Sequence, residues 1–457
     1  MRQECKEAIR ALLPPASCLD RPEDLLAYSY DSQAVEHLPD LVVLPLSTDQ
    51  TAGVVAVCNS YSVPVTARGA GSGTTGGSVP LRGGVVLSLQ KMNKILEVDT
   101  ANFTATVEAG VITADLHRHV EELGLFYPPD PASMAFSTIG GNIAENAGGM
   151  RAVKYGCTAA YVMGLEVVLA DGSIIRTGSK CIKDVVGLNL APLFIGSEGM
   201  LGIVTRAVLR LLPLPETKQT ARIAFRDMHD AASAVNRLLQ RGISPITMEF
   251  MDTITINAVE AYLQMGLPTA AGGMLLVEVD GSPTQVEEGM ARMQELCDEL
   301  APLEYVVART PQEQALLWKA RRSIPASLFR VRPFRFNEDI VVPRSRIPDM
   351  VLRIREIGAE FNLPVCAFGH AGDGNIHVNV LFKDEDGERE RAHRAVERVF
   401  HETVALEGRI TGEHGVGLSK KDYLRLNVDE ETLRLMKNLK HLLDPKGILN
   451  PGKMFPE

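Results

Sequence analysis

The stretch His370-Ala-Gly-Asp-Gly-Asn-Ile-His377 sets two imidazoles on either side of the turn-forming residues Gly372, Asp373 and Gly374. Val365-Cys-Ala-Phe368 before it and Ile376-His-Val-Asn-Val-Leu381 after it have the composition of strands, so the segment reads as a hairpin. Such a hairpin brings His370 and His377 close enough to share one metal ion. Thr411-Gly-Glu-His-Gly-Val-Gly417 adds a carboxylate, Glu413, and another imidazole, His414. Two histidines and one carboxylate leave coordination positions open for substrate or water, as catalytic rather than structural centres do. On these residues alone, histidines lying in a core or on the surface explain the pattern equally well. Leu317-Trp-Lys-Ala-Arg321 offers a guanidinium, which can grip a carboxylate through two parallel hydrogen bonds. A surface arginine on a helix is the simpler explanation from the residues alone, and Arg322 competes for the role.

Glycine supplies the second kind of chemistry. Gly71-Ser-Gly-Thr-Thr-Gly76 satisfies the G-x-G-x-x-G pattern of nicotinamide dinucleotide folds, but that pattern requires the last glycine to open a helix. Here Gly77-Ser-Val-Pro80 and Gly83-Gly84 lead into a strand instead. What survives is a loop whose backbone N–H groups can converge on phosphate, since glycine tolerates positive φ; a flexible surface turn is the alternative. Pro128-Pro-Asp-Pro-Ala-Ser133 and Ser137-Thr-Ile-Gly-Gly-Asn-Ile-Ala-Glu-Asn-Ala-Gly-Gly149 form a second segment rich in hydroxyls, amides and glycines. Two such loops suit a long, polar ligand containing a diphosphate.

The elements around these motifs are those of a mixed globular protein. Residues 41–67 read as strand, helix, strand, with Ser47 and Gln50 forming a capping box. Leu212-Pro-Leu-Pro215 punctuates the chain, and strands and amphipathic helices alternate beyond it, suggesting an α+β, ferredoxin-like layer. The 457 residues are long enough for two or three domains, 45% hydrophobic and 23% charged. A net charge of −10 is the wrong sign for a nucleic-acid binder. Seven scattered cysteines without a C-x-x-C pair argue against a disulfide framework or thiolate cluster and fit a reducing, cytoplasmic setting. No apolar run is long enough to span a bilayer, and no cleavable leader is visible.

Arg68-Gly-Ala-Gly-Ser-Gly-Thr-Thr-Gly-Gly77, the Ser137 to Gly149 segment and Ile195-Gly-Ser-Glu-Gly-Met-Leu-Gly-Ile-Val-Thr205 together resemble the FAD domain of the vanillyl-alcohol oxidase flavoprotein superfamily. Asp444-Pro-Lys-Gly-Ile-Leu-Asn-Pro-Gly-Lys-Met-Phe455 is similar to that family's closing segment, so the resemblance covers nearly the whole chain. It implies an α+β fold: a two-subdomain FAD-binding domain over 1–215, with its core from about 37, then a second domain over 216–457. The second comprises a ferredoxin-like α/β cap with its sheet over about 220–420, and a C-terminal helical segment, about 421–457, returning to the flavin. The resemblance further implies that Arg68, Gly69, Ala70, Gly71, Ser72, Gly73, Thr74 and Gly77 hold the pyrophosphate. Thr138, Gly140, Gly141, Asn142 and Asn146 would lie along the flavin and ribityl chain, and Glu198, Gly199, Gly202, Ile203 and Val204 against the adenine half. Asn450 would return near the isoalloxazine, with Pro129, Ser133, Gly149 and Asn375 completing the cofactor-binding set. Members that tether FAD through the first glycine loop carry a histidine where this chain has Ser72, so non-covalent FAD is expected.

The histidine motifs match a narrower group, the FAD-linked D-2-hydroxy-acid dehydrogenases, which act on D-lactate, D-2-hydroxyglutarate or glycolate. That match implies a divalent metal on His370, His377 and Glu413, zinc first and manganese or iron next, with His414 as base and Arg321 on the substrate carboxylate. Members acting on dicarboxylates carry a lysine near the position of Arg335-Phe-Asn337, so a short monocarboxylate is the simpler expectation, while Arg335 turned inward would substitute for the lysine and admit a dicarboxylate. Pro325, Phe334 and Phe336 are expected to form a partly apolar wall. Electrons would pass to an iron–sulfur or electron-transfer flavoprotein subunit, which could hold the chain at a membrane peripherally; a homodimer is compatible. The alternatives are a D-2-hydroxyglutarate dehydrogenase, a metal-free alcohol or aryl oxidase of the same fold, and, last, a non-enzymatic electron-transfer subunit.

Overall fold

A computed structural model describes residues 1–33 and 35–456, which fall into two compact units. Unit 1 comprises 1–149, 156–214 and 413–457; unit 2 comprises 150–155 and 215–412. The final stretch, which follows the second domain in sequence, therefore packs with the first unit.

In unit 1, Leu41–Val43 and Val65–Arg68 lie parallel to Val85–Ser88, on either side of it, and every residue of the two strands other than Ala67 is buried. Strands covered on both faces read as unbroken apolar runs, which is why Leu41, Val42 and Val43 show no alternation. The intervening helix, Thr48–Tyr61, is capped by the Ser47 hydroxyl, which accepts from Gln50 N–H. The reciprocal half of the box is displaced by one residue: the Gln50 amide oxygen accepts from Leu46 N–H, not from Ser47. A second, five-stranded antiparallel sheet runs in the order Ile95–Asp99, Thr104–Glu108, Ile203–Arg210, Val162–Val168, Ile174–Gly178. The C-terminal stretch joins the edge strand Val65–Arg68, with Val65 N–H donating to Ile448 O and Asn450 N–H to Val65 O.

Unit 2 is a seven-stranded antiparallel sheet. Its strands are β1 (Thr217–Phe225), β2 (Pro245–Asp252), β3 (Gly273–Gly281), β4 (Glu304–Val307), β5 (Phe334–Val341), β6 (Val365–His370) and β7 (Asn375–Phe382), in the order β4-β1-β3-β2-β6-β7-β5. The first four strands, with helices Met228–Gln240 and Pro283–Leu300, make the βαββαβ pattern of a ferredoxin-like layer, with helix Thr253–Leu263 inserted between β2 and β3. The β6–β7 hairpin and β5 extend it. One face packs a core of Met251, Leu276, Phe368, Cys366 and Leu381 with Trp318, Ile324 and Leu328.

Asp252 ends β2 and caps helix Thr253–Leu263, accepting from Thr255 N–H at 2.8 Å and Ala367 N–H at 2.7 Å. Burial outweighs those bonds and raises its carboxyl to about 6. The folded state then binds more protons than the unfolded state between about pH 4 and 6, so this group's contribution falls as pH rises through that window and is level above it. The difference is about 3 kcal/mol. Urea unfolding of Asp252→Asn against the parent at pH 4.5 and 7 should show that slope missing from the variant; parallel pH dependences would refute the assignment.

No helix among the described residues is long and apolar enough to cross a membrane.

Candidate functional site

Each unit carries one part of the chemistry. In unit 1, Arg68 ends its parallel strand, and the first glycine loop starts there, at the carboxyl end where ligands of parallel sheets bind. The Arg68 side chain is buried, donates to Tyr30 O at 2.7 Å and Ser78 Oγ at 3.3 Å, and lies under the loop it introduces. Gly71 has φ +71°, and a Cβ there would collide with the Arg68 guanidinium. A Cβ on Gly69 would lie 2.2 Å from Thr138 Oγ1, so the two glycine segments meet only because no side chain intervenes. The second segment is not a loop throughout: Ile139–Glu145 is a helix capped by Thr138 Oγ1, which accepts from Gly141 N–H. Gly140 is required there by contact with Ala109, since a Cβ would come within 2.7 Å of that side chain. Low glycine propensity hid this helix from the sequence.

These segments line an elongated cavity. Arg68, Gly69, Ala70, Gly71, Ser72, Gly73, Thr74, Gly77, Ser133, Thr138, Gly140, Gly141, Asn142, Glu198, Gly199, Gly202, Ile203 and Val204 are on its wall. Pro129, Asn146 and Gly149 are not, their places being taken by Pro131, Ala147 and Gly148. Asn450 is buried and does not line the cavity; its Nδ2 donates to Gly77 O and Glu198 O, so it latches the two linings together. Beside it Lys453 Nζ donates to Gly77 O and Asn450 Oδ1, both at 2.5 Å; burial lowers its ammonium to about 7, against the pull of Asp31, Glu198 and Glu145. Thr74 Oγ1 is buried on the wall without a protein partner, the mark of a donor set shaped for a polar ligand. The residues fit a dinucleotide.

Glu413 and His414 line the same cavity, 3.8 Å apart at Oε1 and Nε2. Their placement depends on the glycine loop and on Glu198. Thr75 Oγ1 donates to His414 O, Leu418 N–H donates to Thr75 O, and the Glu198 carboxylate accepts from Val416 and Gly417 N–H at 2.7 and 2.8 Å. Burial raises the Glu198 carboxyl, partly offset by those two bonds. Its part is to shape the His414 segment.

In unit 2 the hairpin forms, with His370 opposite Asn375 and Phe368 opposite His377. Directly paired residues share a face, so His370 and His377 sit diagonally on one side, ring centroids 5.2 Å apart and nearly perpendicular. On the same face His370 is opposite Glu249 of β2 and His377 opposite Asp339 of β5. Glu249, fully buried and absent from the sequence reading, joins the pieces: its Oε1 is 2.5 Å from His370 Nδ1 and its Oε2 accepts from Arg321 Nε at 2.6 Å. Burial alone would raise its carboxyl, but the His370 and Arg321 charges hold it below the ordinary value. Arg321 is buried over the Phe368 ring, whereas Arg322 is exposed. Asp339 accepts from Gly412 N–H at 2.9 Å and fixes the residue that precedes Glu413.

Asn375 belongs to this unit; its Nδ2 donates to Ile340 O, while its Oδ1 and both polar atoms of Asn379 are buried without protein partners. A histidine-bearing face with three such atoms suits a polar ligand or ion. Phe334 and Phe336 are on the opposite face, packed on Phe382, and Phe336 also packs on His393; they do not form the expected apolar wall with Pro325, because strand alternation turns them away from the histidine face. Phe329 and Phe368 are the aromatic residues near the arginines.

Comparison with known proteins matches residues 39–178 to the "FAD binding domain" family and 214–454 to "FAD linked oxidases, C-terminal domain". The chain is 45% identical over 458 aligned residues to glycolate oxidase subunit GlcD of Bacillus subtilis (strain 168), covering 99% of this chain and 97% of that one. It is 36% identical to D-lactate dehydrogenase of Anaerostipes hadrus, covering 93% and 92%. Among solved structures, p-cresol methylhydroxylase superposes with a TM-score of 0.83 at 21% identity over 99% of this chain and 96% of that one, a likeness of fold.

Proposed function

The chain belongs to the FAD-linked oxidases, and on that footing we propose that it oxidises a short D-2-hydroxy acid, D-lactate or glycolate, to the 2-oxo acid, using a divalent metal on His370, His377 and Glu413. The observation that carries the reading is the buried chain Arg321–Glu249–His370. A carboxylate bonded to one nitrogen of a histidine fixes the ring and presents the other nitrogen to a metal, the usual outer arrangement of such centres. The same carboxylate holds Arg321 by Nε, leaving its two terminal nitrogens to grip the substrate carboxylate side by side.

Bound FAD supplies the acceptor for the hydride leaving C2. The metal, zinc by its ligand set with manganese or iron as alternatives, supplies Lewis-acid polarisation of the substrate hydroxyl. His414 takes the hydroxyl proton, an assignment supported by its place on the cofactor cavity wall, and a histidine titrates in the range such a base needs. Ser72 in the first loop leaves no histidine there for a covalent tether, so the flavin is held non-covalently. Electrons pass in this proposal to a partner, iron–sulfur or electron-transfer flavoprotein in kind, from a cytoplasmic position peripheral to the membrane; the word subunit in a relative's name supports a partner and not its kind or place.

Anaerobic mixing with D-lactate, L-lactate and glycolate tests this directly. D-lactate and glycolate should bleach the flavin, L-lactate should not, and chelator-treated protein should keep its yellow colour while losing the bleaching. Full bleaching by chelated, metal-free protein would favour the metal-free oxidase instead.

A further inference from the structure

A short finger leaves the wall of the cofactor cavity and is held by unit 2. Its neck is closed within unit 1: Thr158 donates to Ala147 O from its N–H at 3.1 Å and its hydroxyl at 2.8 Å, and Ala159 N–H donates to Asn146 Oδ1 at 2.8 Å. Gly148 lines the cavity, and Gly149 is confined by the carbonyl of Asp130, 2.5 Å from where a Cβ would be. The next six residues, Met150–Tyr155, belong to unit 2. There Lys154 Nζ donates to a carboxylate oxygen of Asp280 and, at 3.2 Å, to its carbonyl. The Tyr155 hydroxyl donates to the other carboxylate oxygen at 2.8 Å, and the ammonium lies over the Tyr155 ring. Asp280 is almost wholly buried, so one finger satisfies both oxygens of a buried carboxylate. Val153 packs on the hairpin turn: its Cγ2 is 2.4 Å from where a Cβ on Gly372 would be. Gly372 is in the turn joining His370 to His377.

We propose that this finger is a positioning device: Lys154, Tyr155 and Asp280 hold Val153 on the Gly372 turn, so that filling the cofactor cavity stiffens the hairpin bearing His370 and His377. The inference rests on the cavity being the FAD site and does not need the metal. Ordering the wall at Gly148 on FAD binding restrains the first residues of the finger, and the Asp280 clamp lets that restraint reach the turn without dissipating in a loose loop. Coupling of this kind works through the local opening of a segment, with no second structure required.

Amide hydrogen exchange of residues 365–382, in FAD-loaded and FAD-stripped protein, tests it. In the wild type, FAD should slow exchange at the turn about tenfold. Val153→Ala and Tyr155→Phe, both mild enough to fold, should each cut that ratio to about threefold or less at saturating FAD, Asp280→Asn should do so more severely, and Lys154→Arg should preserve it. An identical exchange rate with and without FAD in the wild type, or a tenfold ratio surviving in Val153→Ala, overturns the proposal. Cobalt titration of the same samples separates it from the metal reading: failure of cobalt to perturb His370 and His377 while the FAD ratio persists defeats the metal assignment and upholds the finger.

Discussion

Glu249→Ala is expected to lower kcat/KM by about two to three orders of magnitude with FAD still bound. A single carboxylate orients two working side chains, one through each oxygen. Loss of a partner that orients a metal-binding histidine typically costs ten- to a hundredfold. The remainder comes from Arg321, whose buried guanidinium loses its counter-charge and with it the fixed direction of its terminal nitrogens. Glu249→Gln should be nearly as poor, since an amide offers one acceptor where two are needed. Arg322→Ala, on the exposed side of the same helix, should stay within about twofold and serves as the comparison. The measurement is kcat/KM with a dye acceptor beside flavin and metal content; a Glu249→Ala enzyme within fivefold of the parent would show that His370 and Arg321 are positioned by other means.

That Glu249 went unread, while His370 and His377 did not, follows from how each is encoded. The hairpin is local: a glycine-rich turn between two β-rich runs announces itself within one short segment, and the pairing that puts both rings on one face follows from strand geometry. Glu249 is 121 positions from its histidine, and the signal for it is one charged residue inside the apolar run Met248-Glu-Phe-Met251. A carboxylate at a position facing the core needs cationic company, but sequence does not say which strand will supply it. The parallel sheet and the two glycine segments were legible for the same local reason as the hairpin. Two errors had different roots. The helix Ile139–Glu145 was masked by Gly140 and Gly141, whose presence reflects close contact rather than a turn. The wall assigned to Phe334 and Phe336 failed because strand parity, which the sequence leaves open, turns both rings onto Phe382 and away from the face of His377.

The second large effect concerns substrate choice: D-lactate and glycolate should be preferred to D-2-hydroxyglutarate by at least about tenfold in kcat/KM, or 1.4 kcal/mol. Arg335 decides it. The residue is on the face that carries His377, four pairs along the β5–β7 ladder, so its side chain is turned toward that side of the sheet. Its guanidinium is nevertheless engaged: Nη1 donates to Pro325 O at 3.3 Å and the group lies 5.1 Å above the Phe329 ring. Burial lowers its pKa, with the Cys366 thiol acting in the opposite direction, so the surroundings of this cation are apolar rather than prepared for an anion. A second substrate carboxylate would have to draw Arg335 off both contacts, which subtracts from what the pairing returns, or be buried unpaired, which is costly. A methyl or hydrogen at C3 makes no such demand. Arg335→Leu should therefore leave D-lactate turnover within about threefold, since an apolar side chain still packs on Phe329. If the parent instead prefers D-2-hydroxyglutarate tenfold and Arg335→Leu erases that preference, the guanidinium leaves Pro325 on binding and is the clamp for a second carboxylate.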